Sequence, residues 1–223
     1  MSAANRAGPG RRAEEAARIC VLDYGMGNLR SVEKALERVG AEALITSDPD
    51  EAAGSDGLVL PGVGAFPKAM DRIRELGLDV IVRDWTDAGR PLLGICLGMQ
   101  LLFERSSENE GAEGLGLLRG HVTALNSPGL KVPHMGWEPV SWRRPAALLD
   151  GVDDGTPFYF VHSFAARPAD EGDVLGSAEW GERFACVVER GSIRGVQFHP
   201  EKSSAAGLRL LSNFAGVCAP VAA

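Results

Sequence analysis

The sequence predicts an α/β protein with an open, mostly parallel central sheet flanked by helices and antiparallel edge strands in the C-terminal half. Three observations carry that expectation. Short apolar runs alternate with stretches of helical spacing over residues 19–104, the pattern of strands buried on both faces and joined by helices. Beyond residue 115 short strands follow one another directly, separated by Gly, Pro and Asp, which suits antiparallel hairpins. The 223 residues are 45% hydrophobic and 24% charged, ordinary for a globular chain. At roughly 150 residues per domain they favour one domain over two.

Residues 1–17, rich in Ala, Gly, Arg and Glu, read as a disordered N-terminal extension, so the folded domain is expected over 18–223. It opens with the buried strand Ile19–Leu22. After the turn Asp23–Asn28, the residues Leu29, Val32, Ala35, Leu36 and Val39 recur at helical spacing, with Asn28 or Ser31 as cap and Gly40 as stop. Strands Ala43–Thr46 and Gly57–Leu60 come next, then helices at about 66–75 and 78–88. A buried strand over Pro91–Ile95 leads into a helix expected over Leu97–Glu104. The later strands are expected at His121–Leu125, Val132–Val140, Phe158–Phe164, Val174–Ala178, Ala185–Glu189 and Ile193–Phe198. A helix over about 203–217 closes the chain.

Composition excludes several function classes. The formal charge of −7, with no basic run, makes the chain a poor nucleic-acid binder. No run approaches about 18 apolar residues, so no membrane span is expected, and no signal peptide is legible at the start. Cys20, Cys96, Cys186 and Cys218 are far apart and form no C-x-x-C, against a disulfide framework or a thiolate metal site. A reduced, cytoplasmic setting is the expectation.

The most informative segment is Gly94-Ile95-Cys96-Leu97-Gly98, where a buried strand turns sharply into a helix. G-x-C-x-G resembles the nucleophile elbow G-x-S-x-G with sulfur in place of oxygen. A lone cysteine is usually a small buried hydrophobe. Here the glycines and the helix start argue for a thiolate favoured by free N–H groups. Such a nucleophile needs a base and an orienting group. The run Val196-Gln197-Phe198-His199-Pro200-Glu201 offers both, with His199 at a strand's C-terminal end and Glu201 two residues on. Catalytic Cys96, His199 and Glu201 are therefore expected together. Oxyanion donors are expected from the Leu97 N–H and from Gly62 and Val63 in Pro61-Gly62-Val63-Gly64.

These segments, in this order, resemble the class I (triad) glutamine amidotransferases. The resemblance rests on Asp23–Leu29, Pro61–Phe66, Gly94–Glu104, Pro133–Trp137, Tyr159–Phe164 and Gly195–Ser204, and so spans nearly the whole domain. Within the class, the runs P-G-V-G-A-F, P-H-M-G-W and H-P-E-K-S-S resemble the glutaminases that serve imidazole glycerol phosphate synthesis. The resemblance implies the class I amidotransferase fold and hydrolysis of glutamine to glutamate and ammonia through a Cys96 thioester. It implies that Gly62, Gln100 and the backbone of Ser163 and Phe164 hold glutamine. A separate (β/α)₈-barrel synthase is the implied heterodimer partner, using the ammonia to make imidazole glycerol phosphate and aminoimidazole carboxamide ribotide for histidine biosynthesis. Asn28, Trp137, Tyr159 and Lys202 are the implied interface, and no cofactor or metal is implied. Glu138 stands where the family usually has asparagine, which bears on partner contact and not on the triad. His134 and His162 read as structural, each without a nearby carboxylate in sequence. Other readings remain open: a glutaminase for another triad amidotransferase, such as pyridoxal phosphate synthase, a non-catalytic binding subunit, or a peptide hydrolase.

Overall fold

The computed structural model describes residues 16–219, so all but the last two residues of the expected N-terminal extension lie outside the described residues. The first half comprises β1 (Arg18–Leu22), α1 (Leu29–Arg38), β2 (Glu42–Thr46), α2 (Pro49–Ala53), β3 (Gly57–Leu60), α3 (Phe66–Glu75), α4 (Leu78–Asp87), β4 (Leu92–Ile95) and α5 (Leu97–Leu101). The second half carries β5 (Phe103–Ser106), β6 (Ala112–Glu113), β7 (Leu118–Ala124), β8 (His134–Pro139), β9 (Ser141–Trp142), β10 (Pro157–His162) and β11 (Phe164–Pro168). It continues through β12 (Val174–Glu179), β13 (Arg183–Arg190), β14 (Ile193–Val196) and α6 (Ser204–Cys218).

The main sheet runs β2-β1-β3-β4-β14-β13-β11-β7-β5-β6, with β12 on β13 and β9 on β12. Its first five strands are parallel. From β13 onward the pairing is antiparallel, apart from the parallel pair β5 and β7. Alternation within β1 divides the core between the two faces. Ile19 and Val21 pack with Val32 and Leu36 of α1 and Leu210, Leu211 and Phe214 of α6. Cys20 and Leu22 pack with Phe66, Met70 and Ile73 of α3 and Val82 and Trp85 of α4. This two-residue period places helices on both faces, as parallel strands require. β8 and β10 form a separate antiparallel pair in which Tyr159 faces Trp137 and His162 faces His134.

Several expected elements end elsewhere. The helix expected over Leu97–Glu104 stops at Leu101, and Phe103–Ser106 is a strand. Its continuation would need carbonyls that are already taken. Leu115 N–H donates to Leu101 O at 2.9 Å, Leu117 N–H to Leu102 O at 2.8 Å and Gly114 N–H to Glu104 O at 2.8 Å. The strand expected over Phe158–Phe164 is two strands in different sheets, parted at Ser163. The strand expected from Val132 begins at His134, just after Pro133, which has no N–H for a ladder. β14 ends at Val196, two residues short of expectation. The short β5, β6, β9 and α2 had no expected counterpart.

Candidate active site

The site grows from the end of β4. Cys96 sits between β4 and α5 with φ 54 and ψ −110, a backbone conformation that non-glycine residues rarely hold. The flanking glycines make it possible. A Cβ on Gly98 would lie 1.7 Å from the Leu60 carbonyl oxygen, and one on Gly94 would lie 2.8 Å from the Gly98 carbonyl group. No side chain fits either place. α5 is only five residues long, so the thiol meets the free N–H groups of a single turn rather than the end of a long helix.

β14 lies directly beside β4, with Val196 in register with Ile95, and the Cys96 N–H donates to Val196 O at 2.8 Å. This parallel pairing brings the Cys96 and His199 segments to the same edge of the sheet. The His199 loop is then pinned from several sides. Its N–H donates to Tyr159 O at 2.9 Å, and its carbonyl accepts from Ser203 Oγ at 2.7 Å. His199 Nδ1 lies 2.8 Å from Glu201 Oε1, and the Glu201 side chain is 1% exposed. Among the described residues Nε2 makes no well-formed hydrogen bond, and the Cys96 side chain is the group beside it, so this nitrogen is left for the thiol and its substrate. Burial alone would lower the His199 pKa. Hydrogen bonding and charge from Cys96 and Glu201 outweigh it and raise the pKa to about 9. The imidazole is thereby biased toward imidazolium. The other cysteines lack such a partner: burial pushes Cys20 and Cys218 up to about 12 and Cys186 well above its ordinary value.

A cleft of about 300 Å³ opens over Cys96 and His199. Val63 and Gly64, Leu97 and Gln100, and Ser163 and Phe164 stand on its walls. Gly62 lies just behind, packed so closely that a Cβ there would strike the Tyr24 hydroxyl at 2.2 Å. Gln100 donates through Nε2 to Phe164 O at 2.9 Å and to Gln197 Oε1 at 3.0 Å, so its carbonyl is the group left for a ligand. The Ser163 carbonyl accepts from Leu125 N–H at 2.9 Å. Both carbonyls of this wall are thus bonded within the protein. Asn28 begins α1 without a side-chain cap bond and, with Val63, His199 and Glu201, borders a small cavity behind the triad. Trp137 is 48% exposed and meets Tyr159 edge-on at 6.0 Å. Lys202 is exposed beside the triad loop. Exposed Met135, at 61%, extends the apolar rim along β8.

The structure also places residues that the sequence did not single out. Glu108 reaches the cleft from the turn between β5 and β6, and its Oε2 accepts from Phe66 N–H at 2.7 Å. Gln197 is fully buried and donates to Cys96 Sγ at 3.8 Å. His162 lines the cleft and bonds His134, whose Nε2 lies 3.9 Å from Glu138. The reading that neither histidine has a carboxylate near it thus fails for His134. On an extended strand, residues four apart share a face, and that spacing was the available signal. Among the described residues no cluster of His, Cys, Asp and Glu is arranged to hold a metal ion.

The family model for class-I glutamine amidotransferases matches residues 20–217. The chain belongs to that family. A relative named imidazole glycerol phosphate synthase subunit HisH, from Moorella thermoacetica, is 52% identical over 196 residues, 88% of this chain and 93% of its own. One of the same name from Geobacillus kaustophilus is 50% identical over 206 residues, 89% of this chain and 96% of its own. A solved structure described as a glutamine amidotransferase superposes with a TM-score of 0.70 at 26% identity, covering 89% of this chain and 98% of its own. The fold expected from the sequence, parallel in the centre and antiparallel toward the C-terminal half, is the one this family adopts.

Proposed function

We propose that this amidotransferase is the glutaminase subunit of an imidazole glycerol phosphate synthase. The observation that carries the reading is the Cys96–His199–Glu201 constellation at the floor of a cleft sized for one amino acid. Relatives at about 50% identity over nearly their whole length bear that subunit's name. Cys96 attacks the side-chain amide carbon of glutamine. His199 gives its proton to the departing nitrogen, so ammonia leaves and a γ-glutamyl thioester remains. His199 then takes a proton from water, which releases glutamate and restores the thiol. Glu201 fixes the imidazole so that Nε2 faces these steps. The oxyanion rests on the Leu97 N–H, which opens α5, and on the Gly62–Val63 segment.

Gln100, Gly62 and the Ser163–Phe164 backbone hold the amino-acid end of glutamine. Glu108 joins them as the carboxylate that faces its ammonium group. Trp137, Tyr159, Lys202 and Asn28 form the surface for a separate (β/α)₈-barrel synthase, which takes the ammonia, and the pair works in the cytoplasm. Val63 is 42% exposed on the rim between triad and partner surface. Its peptide is the candidate switch: a partner that favours the donor-inward state completes the oxyanion hole.

The test is glutamate production by the chain alone, with the barrel subunit, and with the barrel and its nucleotide ligand. A rise of about 10²–10³ on assembly and loading is the expected result, the scale of one oxyanion donor. Equal rates in all three overturn the switch, and no turnover in any overturns the glutaminase reading. Ammonia transfer to a pyridoxal-phosphate-forming barrel instead would assign the other amidotransferase.

A further inference from the structure

Three side chains outside the triad form a file that ends on the cleft wall. His162 closes β10 and is 6% exposed, with Nδ1 2.9 Å from Phe164 O. His134 opens β8 fully buried, its ring stacked on Trp180 at 4.3 Å and Phe160 at 5.2 Å. Its Nδ1 lies 3.1 Å from His162 Nε2. Glu138, four residues along β8, brings Oε1 to 3.9 Å from His134 Nε2.

The direction of every proton follows from one end. A carbonyl oxygen only accepts, so His162 Nδ1 carries the hydrogen. Burial holds both rings neutral, lowering His162 to about 3 and His134 to about 4. A neutral ring has one N–H, so His162 Nε2 accepts and His134 Nδ1 donates to it. His134 Nε2 is then a bare lone pair, buried and without a hydrogen-bond partner among the described residues. The Glu138 carboxyl is the polar group nearest this nitrogen, at 3.9 Å and so beyond direct hydrogen-bond distance, and partial burial shifts its pKa upward.

The far end of the file lies where the backbone most needs support. At Ser163 the chain leaves the β8–β10 pair and joins the main sheet, so neither ladder fixes this junction on both sides. Side-chain donors do so instead. The Phe164 carbonyl takes His162 Nδ1–H and Gln100 Nε2–H together. The Ser163 carbonyl is held by Leu125, which turns the Phe164 N–H of the same planar peptide away from β7.

We infer that His134 and Glu138 are positioning residues for the amino-acid end of the substrate, acting through His162 to hold the Ser163–Phe164 backbone in its receiving shape. The inference rests on the proposed glutaminase reading. Neither residue touches the reacting amide, so the effect falls on KM for glutamine and spares the chemistry at Cys96.

The experiment measures glutamine kinetics of the chain assembled with its barrel subunit. His134→Phe keeps the ring stack and removes the donor, whereas His134→Asn returns an N–H near the Nδ1 position. His134→Phe is expected to raise KM about tenfold, the scale of one buried partner left unpaired, with kcat changed less than about threefold. Alkylation of Cys96 by iodoacetamide should keep its rate. His134→Asn should recover KM to within about twofold. Glu138→Gln, which keeps a polar side chain of the same size beside His134, should match the unaltered chain, and Glu138→Leu should raise KM about threefold. An unchanged KM in His134→Phe, or equal losses in the Phe and Asn variants, overturns the inference. If His134→Phe fails to fold, nitrogen NMR of the unaltered protein decides instead: both rings must carry their proton on Nδ1, and a proton on Nε2 of either overturns it. That readout needs no turnover, so failure of the glutaminase reading remains distinguishable from failure of the file.

Discussion

The two sides of the cleft are built on different principles. The floor comes from β4 and β14, adjacent parallel strands buried on both faces, and its geometry is enforced by backbone contacts that leave no room for a Cβ. The opposite wall comes from the β8–β10 pair, which lies outside the main sheet and exposes Met135 and Trp137. At its Ser163–Phe164 end, where the chain passes into the main sheet, the backbone carbonyl of Phe164 is held by the side chains of His162 and Gln100. Close-packed backbone has few alternative arrangements, whereas a wall held by side chains on a two-stranded ribbon can respond to a docked partner. The floor carries the bond-breaking chemistry, and the wall is where binding and control can be adjusted.

Substitutions rank along this division. The largest loss is expected on the floor: Cys96→Ala should remove nearly all glutamate release while the complex still makes product from added ammonium salt. A glutamine-like affinity label should attach to Cys96 and spare Cys20, Cys186 and Cys218, whose burial keeps them as thiols. Label on another cysteine, or substantial turnover by the Ala variant, breaks the assignment. Gly98→Ala should be comparably damaging through structure, because the new methyl meets the Leu60 carbonyl. Its melting temperature should drop together with activity, and normal folding would show that the elbow is softer than its contacts imply.

His199→Ala should be nearly as severe as loss of the thiol, and Glu201→Ala milder, since an orienting group commonly costs less than the base it orients. A pH measurement sharpens the floor's electrostatics. His199 has its pKa raised from 6.5 to about 9, so the stability it contributes is complete below about 6.5 and is lost as pH rises through about 9. The unaltered chain should therefore lose more stability between those pH values than Cys96→Ala, whose imidazole no longer has the sulfur beside it. Equal slopes for the two would mean that the Cys96 side chain is not what holds the proton on His199.

The smallest effects belong to the exposed rim. Trp137→Ala should weaken activation by the barrel subunit while changing the melting temperature little, because half of the ring is already in solvent. Titration of barrel subunit against glutamate release measures this. A large drop in stability would make Trp137 part of the core and erase the distinction between floor and wall.

What the sequence alone determined was local. The G-x-C-x-G elbow is legible because its cause is local: sharp reversal at a buried strand end leaves space only for glycine at positions 94 and 98. The strands β1, β3 and β4 are legible because burial on both faces writes continuous apolar runs. His199 and Glu201 are legible as a pair two residues apart, yet their meeting with Cys96 depends on β14 entering the sheet beside β4, a pairing that spans about a hundred residues of sequence. Tertiary structure alone decided the rest. α5 ends at Leu101 because the segment 114–117 claims the next carbonyls, overriding the helical spacing up to Glu104. Glu108 lies in no quoted motif, and although Gln197, His134 and His162 lie within motif runs, their hydrogen bonds are not legible there, since each gains its place from partners brought from other strands and turns. Local sterics are written in neighbouring residues, but a hydrogen bond between distant strands exists only after the sheet has chosen its order.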